Sequence, residues 1–145
     1  TICDAENLKA VSLISQNTKI YCIDYKKIYD FINNKTFVYF DPPYRPINEI
    51  SSFMAYVGEF NDNHQIELAQ FFIKLHQEKK PLLMLSNSDP KNHDENYNFF
   101  ENLYSEFNIH RVLAKRNINS KENLRGLLQK LLLLIMIKEG ILWGF

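Results

Sequence analysis

Glycine is scarce. The chain holds only four among 145 residues, and they are scattered, so no glycine-rich phosphate loop of the G-x-G-x-x-G kind exists within it. Cysteine is scarcer still. Cys3 and Cys22 are the only two, too few for a disulfide scaffold or a zinc site. They read as free thiols of a reducing, cytoplasmic compartment. Net charge is absent, with 17 basic residues against 17 acidic ones. That balance neither signals nor excludes a nucleic-acid partner, because a local basic patch suffices. The four histidines, His64, His76, His93 and His110, fall at no metal-ligand spacing and read as surface residues. No secretory signal opens the chain. The first residue is Thr1 rather than methionine, which hints at a missing upstream portion. The most apolar run, LLQKLLLLIMI at residues 127–137, contains Gln129 and Lys130 and is too short to span a bilayer. It reads as a buried helix or strand.

Apolar side chains are plentiful, at 46% of the residues, which is enough for a core. Residues 4–16 carry Leu8, Val11 and Ile14 at helical spacing, with Asp4 as N-cap. KIYCI at 19–23 reads as a short strand ending at Asp24-Tyr25. Residues 26–33 read as a short helix with Ile28, Phe31 and Ile32 inward. FVYF at 37–40 reads as a buried strand. A loop containing SSFMAY follows over residues 45–60. From Asp62 an amphipathic helix is predicted, capped by Asp62 or Asn61, with Ile66, Ala69, Phe72 and Leu75 or Ile73 inward. PLLMLSNSD then reads as a strand, ENYNFFENLYSEF as a helix and NIHRVLAKRNI as a further strand. Strands alternating with helices imply an α/β fold with a parallel sheet and right-handed crossovers.

In this reading Asp24, Asp41 and the group Ser86-Asn87-Ser88-Asp89 each follow an apolar strand. Ligands of open α/β sheets bind outside the carboxyl ends of the strands. The sharpest of these termini is Asp41-Pro42-Pro43-Tyr44. Both prolines fix φ and carry no N–H, so the carbonyls of Asp41 and Pro42 are acceptors with no proline donor beside them. Asp41 adds a carboxylate. The cluster suits a ligand with an amino group, and Tyr44 offers a flat face for a planar ring, where stacking is worth roughly 1–3 kcal/mol per base. An aromatic amine is a poor nucleophile because its lone pair is delocalised. Acceptors around its N–H groups favour the tetrahedral nitrogen, and that help grows towards the transition state. The structural alternative is a proline turn capped by Asp41.

The ordered set KIYCIDY, FVYFDPPYRPI, SSFMAY, FNDNHQIELAQFF, LMLSNSDPKN, NFFENLY and FNIHRVLAKRNINSKENLRG resembles Dam-type DNA adenine-N6 methyltransferases, in particular the subgroup found with GATC restriction systems. The resemblance covers roughly residues 1–126. It implies the C-terminal strands and helices of a Rossmann-like S-adenosylmethionine-dependent fold. Its substrate would be adenine flipped from double-stranded DNA, and a cognate restriction endonuclease would be a partner. By the resemblance, Asp41 and the Pro42 carbonyl hold the adenine N6 amine, Pro43 keeps the turn rigid and Tyr44 stacks on the base. Asp24 and Tyr25, with Asp41, border the cofactor. Phe53 and Tyr56 close over the base, or simply pack their loop. Ser86 and Asn87 line the pocket wall, with Ser88 or Asp89 as an alternative helix cap. Lys115, Arg116 and Arg125 meet phosphates, or are solvated edge residues. Asp41, where related enzymes carry Asn or Ser, favours adenine over cytosine or protein amides.

Two features depart from the family. Its aromatic-x-Gly-x-Gly cofactor loop and its target-recognition region should lie upstream, and neither is in this sequence. The family also ends on a strand of the type Ile-x-Glu-Leu-Leu-Ile-x-Asn-Tyr, placed antiparallel beside the strands carrying LLML and HRVLAK. Here residues 127–145 read LLQKLLLLIMIKEGILWGF instead. With A/T-rich codons, skipping two bases turns that run into Ile-Thr-Glu-Ile-Ile-Ile-Ile-Asn-Tyr-Asp and a stop. Residues 1–126 are therefore expected to be part of a catalytic domain and 127–145 a frameshifted tail. Such a tail would leave apolar surface exposed or mispacked, and the isolated chain is expected to be unstable and inactive. The alternatives are an inactive remnant acting as a binding module, or an amino-methyltransferase on RNA or protein.

Overall fold

The computed structural model describes residues 4–45, 60–92, 94–115 and 129–136. The chain forms two compact units, Thr1–Asp30 and Phe31–Phe145. Phe53, Tyr56, His93, Arg116 and Arg125 lie outside the described residues.

In the first unit, helix α1 spans Ala5–Ser15. Asp4 caps it as the sequence predicts, its carboxylate accepting the Asn7 N–H at 3.0 Å. The predicted inner face, Leu8, Val11 and Ile14, remains exposed. KIYCI is not a strand, and Ile20 is 88% exposed. A strand exists only through ladder partners, and none pairs with it among the described residues. The helix predicted over 26–33 is a 3₁₀ turn over Tyr25–Phe31. Asp24 starts it by accepting the Lys26 N–H at 2.8 Å.

The second unit is built on a mixed four-stranded sheet in the order β1-β2-β4-β3. These are β1 (Phe37–Phe40), β2 (Leu82–Ser88), β3 (Asn108–Lys115) and β4 (Gln129–Met136). Helix α2 (Asp62–Glu78) joins β1 to β2, and a short helix α3 (Phe99–Leu103) precedes β3. β1 and β2 pair in parallel, and β4 is antiparallel to both of its neighbours, so β3 points the same way as β1 and β2. The three strands read from the alternation thus share one direction, and the antiparallel strand lies between those carrying LLML and HRVLAK, where the family resemblance puts its last strand. That strand comes from the tail expected to leave the sheet mispacked. Its backbone pairs with β2 from Met84↔Met136 to Ser88↔Leu132, and with β3 from Asn108↔Met136 to Lys115↔Gln129. Eight residues without Gly or Pro can supply an unbroken ladder whatever their exact apolar identity.

Strand β1 is not buried on both faces as expected. Val38 and Phe40 are buried, whereas Phe37 and Tyr39 are about half exposed. It is one of the two edge strands of the sheet among the described residues, and α2 covers one face. Phe40 meets Phe71 edge-on and lies tilted to Phe72, with ring centroids at 6.3 and 5.7 Å. Phe72, fully buried, is flanked edge-on by Tyr104 and Phe107 at 5.5 and 5.0 Å. This aromatic cluster fixes α2 against the sheet and closes the 99–107 segment over it. The predicted inner Ile66 and Ile73 are only half-buried, while Gln65, Leu68 and Phe71 are buried. The predicted helix ENYNFFENLYSEF shortens to α3, because its N-terminal residue Asn98 makes no side-chain cap and Asp94 forms its own turn with Asn96. His76 is not a free surface residue. It is half-buried, its ring lies edge-on to Phe107 at 5.3 Å, and its buried Nδ1 has no hydrogen-bond partner among the described residues. Among the described residues no helix is long and apolar enough to cross a membrane.

Candidate active site

The parallel register aligns Phe40 with Leu85. The next residue on each strand, Asp41 and Ser86, therefore stands at the same level at the carboxyl edge. Side chains alternate along a strand. Val38, Phe40, Leu83 and Leu85 form the buried row under α2, so Tyr39, Asp41 and Ser86 share the opposite row, and Asn87 returns to the α2 side.

Each row has its own hydrogen-bond set. On the first, the Ser86 hydroxyl donates to Asp41 Oδ1 at 3.0 Å. The Tyr44 hydroxyl donates to Ser86 Oγ at 3.1 Å, and Tyr39 OH lies 2.8 Å from the same atom. Burial pushes the Tyr44 phenol above its ordinary value; the Ser86 bond opposes this, and the charge of Asp41 adds to the rise. On the second row, Asn87 Nδ2 donates to Gln65 Oε1 at 3.1 Å, and Gln65 Nε2 donates to the Pro43 carbonyl at 3.0 Å. Asn87 Oδ1 accepts the Arg45 N–H at 2.9 Å. Ser88 Oγ donates to the Arg45 carbonyl. Gln65 and Asn87 are almost wholly buried. A buried amide pair persists only if its polar groups are satisfied, and here they are satisfied by the backbone of the proline turn.

Arg45 extends the hold. Its guanidinium donates to both carboxylate oxygens of Asp62, at 2.7 and 2.9 Å, and this raises its already high pKa against a smaller cost of burial. It also donates to Tyr97 OH at 2.5 Å and lies over the Tyr97 and Phe99 rings at 4.8 and 4.9 Å. The turn is thereby tied to the start of α2 and to the residues leading into α3. Below it, Asp89, nearly wholly buried, accepts Arg111 Nε at 2.7 Å and the Lys91 N–H at 3.2 Å. Asp89 is thus an ion-pair anchor that also starts the 3₁₀ turn Pro90–Asn92.

Asp41 itself stays exposed. Among the described residues no donor is committed to the Pro42 carbonyl, whereas that of Pro43 is taken by Gln65. The turn so held presents a carboxylate and one carbonyl beside the Tyr44 ring. The D12 class N6 adenine-specific DNA methyltransferase family matches residues 1–118. This chain belongs to that family. The D12-class chain is 46% identical over 125 residues to the type II methyltransferase M.MjaIII of Methanocaldococcus jannaschii, covering 86% of this chain and 41% of that protein. It is 36% identical over 128 residues to the type II methyltransferase M1.LlaDCHI of Lactococcus lactis subsp. cremoris, covering 86% and 42%. To the DNA adenine methylase of Haemophilus influenzae it is 28% identical over 119 residues, covering 81% and 39%. The chain thus spans about two fifths of the length of these relatives.

Of the residues named from the sequence, the structure brings Asp41, Pro42, Pro43, Tyr44, Ser86 and Asn87 together. Asp24 and Tyr25 lie in the first unit. The backbone of Lys115 closes β3. Four residues of the site escaped the sequence reading: Tyr39, Arg45, Asp62 as a partner of Arg45, and Gln65. Gln65 carried a signal, being a polar residue three and four positions before Leu68 and Ala69 on the apolar stripe. Tyr39 carried one too, standing two residues before Asp41 in a strand. Nothing local pairs Arg45 with Asp62, which follows it by 17 positions.

Proposed function

We propose that the chain carries the methyl-accepting corner of an S-adenosylmethionine-dependent adenine-N6 DNA methyltransferase. Its fold would be part of a Rossmann-like sheet, and its substrate an adenine flipped from duplex DNA, in GATC. The carrying observation is the pair of acceptors beside Tyr44, the exposed Asp41 carboxylate and the Pro42 carbonyl to which no donor is committed among the described residues, on a turn held through the Pro43 carbonyl and the Arg45 backbone. The amine would place one N–H on each acceptor, and the base would lie on the Tyr44 ring. The two acceptors draw the amine protons and localise the nitrogen lone pair, which strengthens the nucleophile most in the transition state. Ser86 and Asn87 support this corner from the two faces of β2. Phe53 and Tyr56 would cover the base, and Lys115 and Arg116 would meet the DNA backbone. The setting would be cytoplasmic, beside a restriction endonuclease.

Bound S-adenosylmethionine would supply the electrophilic methyl group. The residues present fit only part of it. Asp24 gives one carboxylate oxygen to its own turn; its other oxygen would accept a ribose hydroxyl, and Tyr25 would offer a flat surface. The 145 residues hold no glycine-rich loop for the rest of the cofactor. A binding module without activity is therefore the second reading, and it predicts no methyl transfer by the chain alone. We read residues 1–126 as part of the catalytic domain and 127–145 as a tail from a shifted frame; DNA sequence through codons 126–138 decides that.

The test of function places this chain in the position of the matching segment of the M. jannaschii relative and follows labelled methyl groups. Transfer to adenine N6 in GATC duplexes is expected, with a loss of at least about a hundredfold for Asp41→Ala. Transfer that survives Asp41→Ala, or that goes to RNA or protein instead of DNA, sinks the assignment.

A further inference from the structure

We infer that Ser86 is the positioning residue of the amine corner and sets the side chains of Asp41 and Tyr44 together. The inference deepens the reading of that corner as an adenine site and rests on it. It follows from a count of protons. A serine hydroxyl has one proton and two lone pairs. Three oxygens surround Ser86 Oγ: Asp41 Oδ1 at 3.0 Å, Tyr39 OH at 2.8 Å and Tyr44 OH at 3.1 Å. The Asp41 carboxylate offers only acceptors, so the serine proton goes to it. Both phenols must then donate to Ser86. The direction of the Tyr39 bond, which distance leaves open, is fixed by this count. Ser86 is wholly buried, and the three partners fill its capacity.

The consequence is a division of labour along β2. Asn87 and Gln65 hold the backbone of the turn, through the Arg45 N–H and the Pro43 carbonyl. Ser86 holds its side chains. It fixes one oxygen of Asp41, while an ionised carboxylate has further acceptor positions for an amine. It tethers Tyr44 by the hydroxyl, which leaves the ring faces out of the bond. The acceptor and the stacking surface, which also interact with each other directly, are thus both bonded to a residue that touches neither the amine nor the base.

The full chain is tested by equilibrium binding of 2′-deoxyadenosine and of its N6,N6-dimethyl analogue, which keeps the ring and lacks the N–H groups. The wild type should prefer deoxyadenosine. Ser86→Ala should weaken deoxyadenosine binding roughly tenfold, the scale of one hydrogen bond to a charged group, and weaken the analogue, which uses the Tyr44 surface but not the acceptors, clearly less. Ser86→Thr, which keeps the hydroxyl, should restore the preference. Melting curves accompany each variant, and if the added methyl group unfolds Ser86→Thr, the preference ratio of Ser86→Ala decides. Should Ser86→Ala keep the preference while Asp41→Ala loses it, the proposal falls and the adenine reading stands. Equal weakening of both nucleosides, with a lowered melting temperature, makes Ser86 merely structural and also overturns the proposal. A wild-type chain that does not distinguish the two nucleosides overturns the adenine reading, and the proposal with it.

Discussion

Ser86 and Asn87 are adjacent in sequence yet serve opposite faces of β2, and the residues they reach come from three segments, β1, the proline turn and α2. Tyr44 is the one whose ionisation reports the arrangement. Burial is the main cause of its raised pKa, with the Ser86 bond opposing and Asp41 adding to the rise. Below the ordinary value of 10.0 the phenol keeps its proton in both folded and unfolded chains, and its contribution to stability is intact. Above it the unfolded chain ionises first, so stability is lost as pH rises through the raised folded value. Ultraviolet titration of tyrosine ionisation in the full chain should therefore contain a late phenol that Tyr44→Phe removes. If the late phenol persists in Tyr44→Phe, the burial and contacts assigned to Tyr44 are wrong.

Helix α2 carries more of the site than its sequence pattern announces. Its apolar stripe made the element legible, and the same periodicity located Ala69, Phe72 and Leu75 in the core. Strands β1, β2 and β3 were legible too, from short apolar runs, β-branched and aromatic in β1 and ending in polar residues in β2. KIYCI has the same local character but no ladder partner among the described residues; propensity alone does not make a strand. The place of β4 was read from family resemblance, whereas the ability of an atypical leucine-rich run to fill it was not. The proline turn of the candidate site was legible because proline and aspartate impose local geometry. The tie from Arg45 to Asp62 was not, because it depends on where α2 begins in space. That beginning is set by Asn61, whose side chain accepts the N–H groups of Asn63 and His64 at 3.0 and 3.3 Å, while its own N–H donates to His64 Nδ1. Asn61→Ala should cost about 1 kcal/mol in urea unfolding of the chain. Because Asp62 follows directly, the loss should be smaller when Arg45→Ala has already removed the tie. Strict additivity of the two changes would mean that cap and tie are independent.

Across the molecule, charges hold what the aromatic cluster does not reach. Arg111 on β3 joins Asp89, just past the end of β2, to Glu101 on α3, and Lys91 reaches Glu101 at 3.1 Å. Burial disfavours the charge of Arg111, but its bonds to Asp89 and Glu101 outweigh that and raise its pKa. For Glu101, burial likewise works against the charge. Its backbone hydrogen bond and the side chains of Arg111 and Lys91 prevail, and the carboxyl is held below its ordinary 4.5. A depressed carboxyl stabilises the fold above the unfolded value and loses that contribution as pH falls through the folded one. The chain should therefore lose stability as pH drops below about 4.5, where the unfolded state takes up the proton first. Urea unfolding followed between about pH 7 and pH 3 measures the slope. Glu101→Gln keeps the shape, removes the charge and should flatten that part of the curve. It should also lower stability at neutral pH, where Arg111 and Lys91 lose a charged partner. An unchanged acid slope in Glu101→Gln would show that Glu101 does not carry the pH dependence of this network.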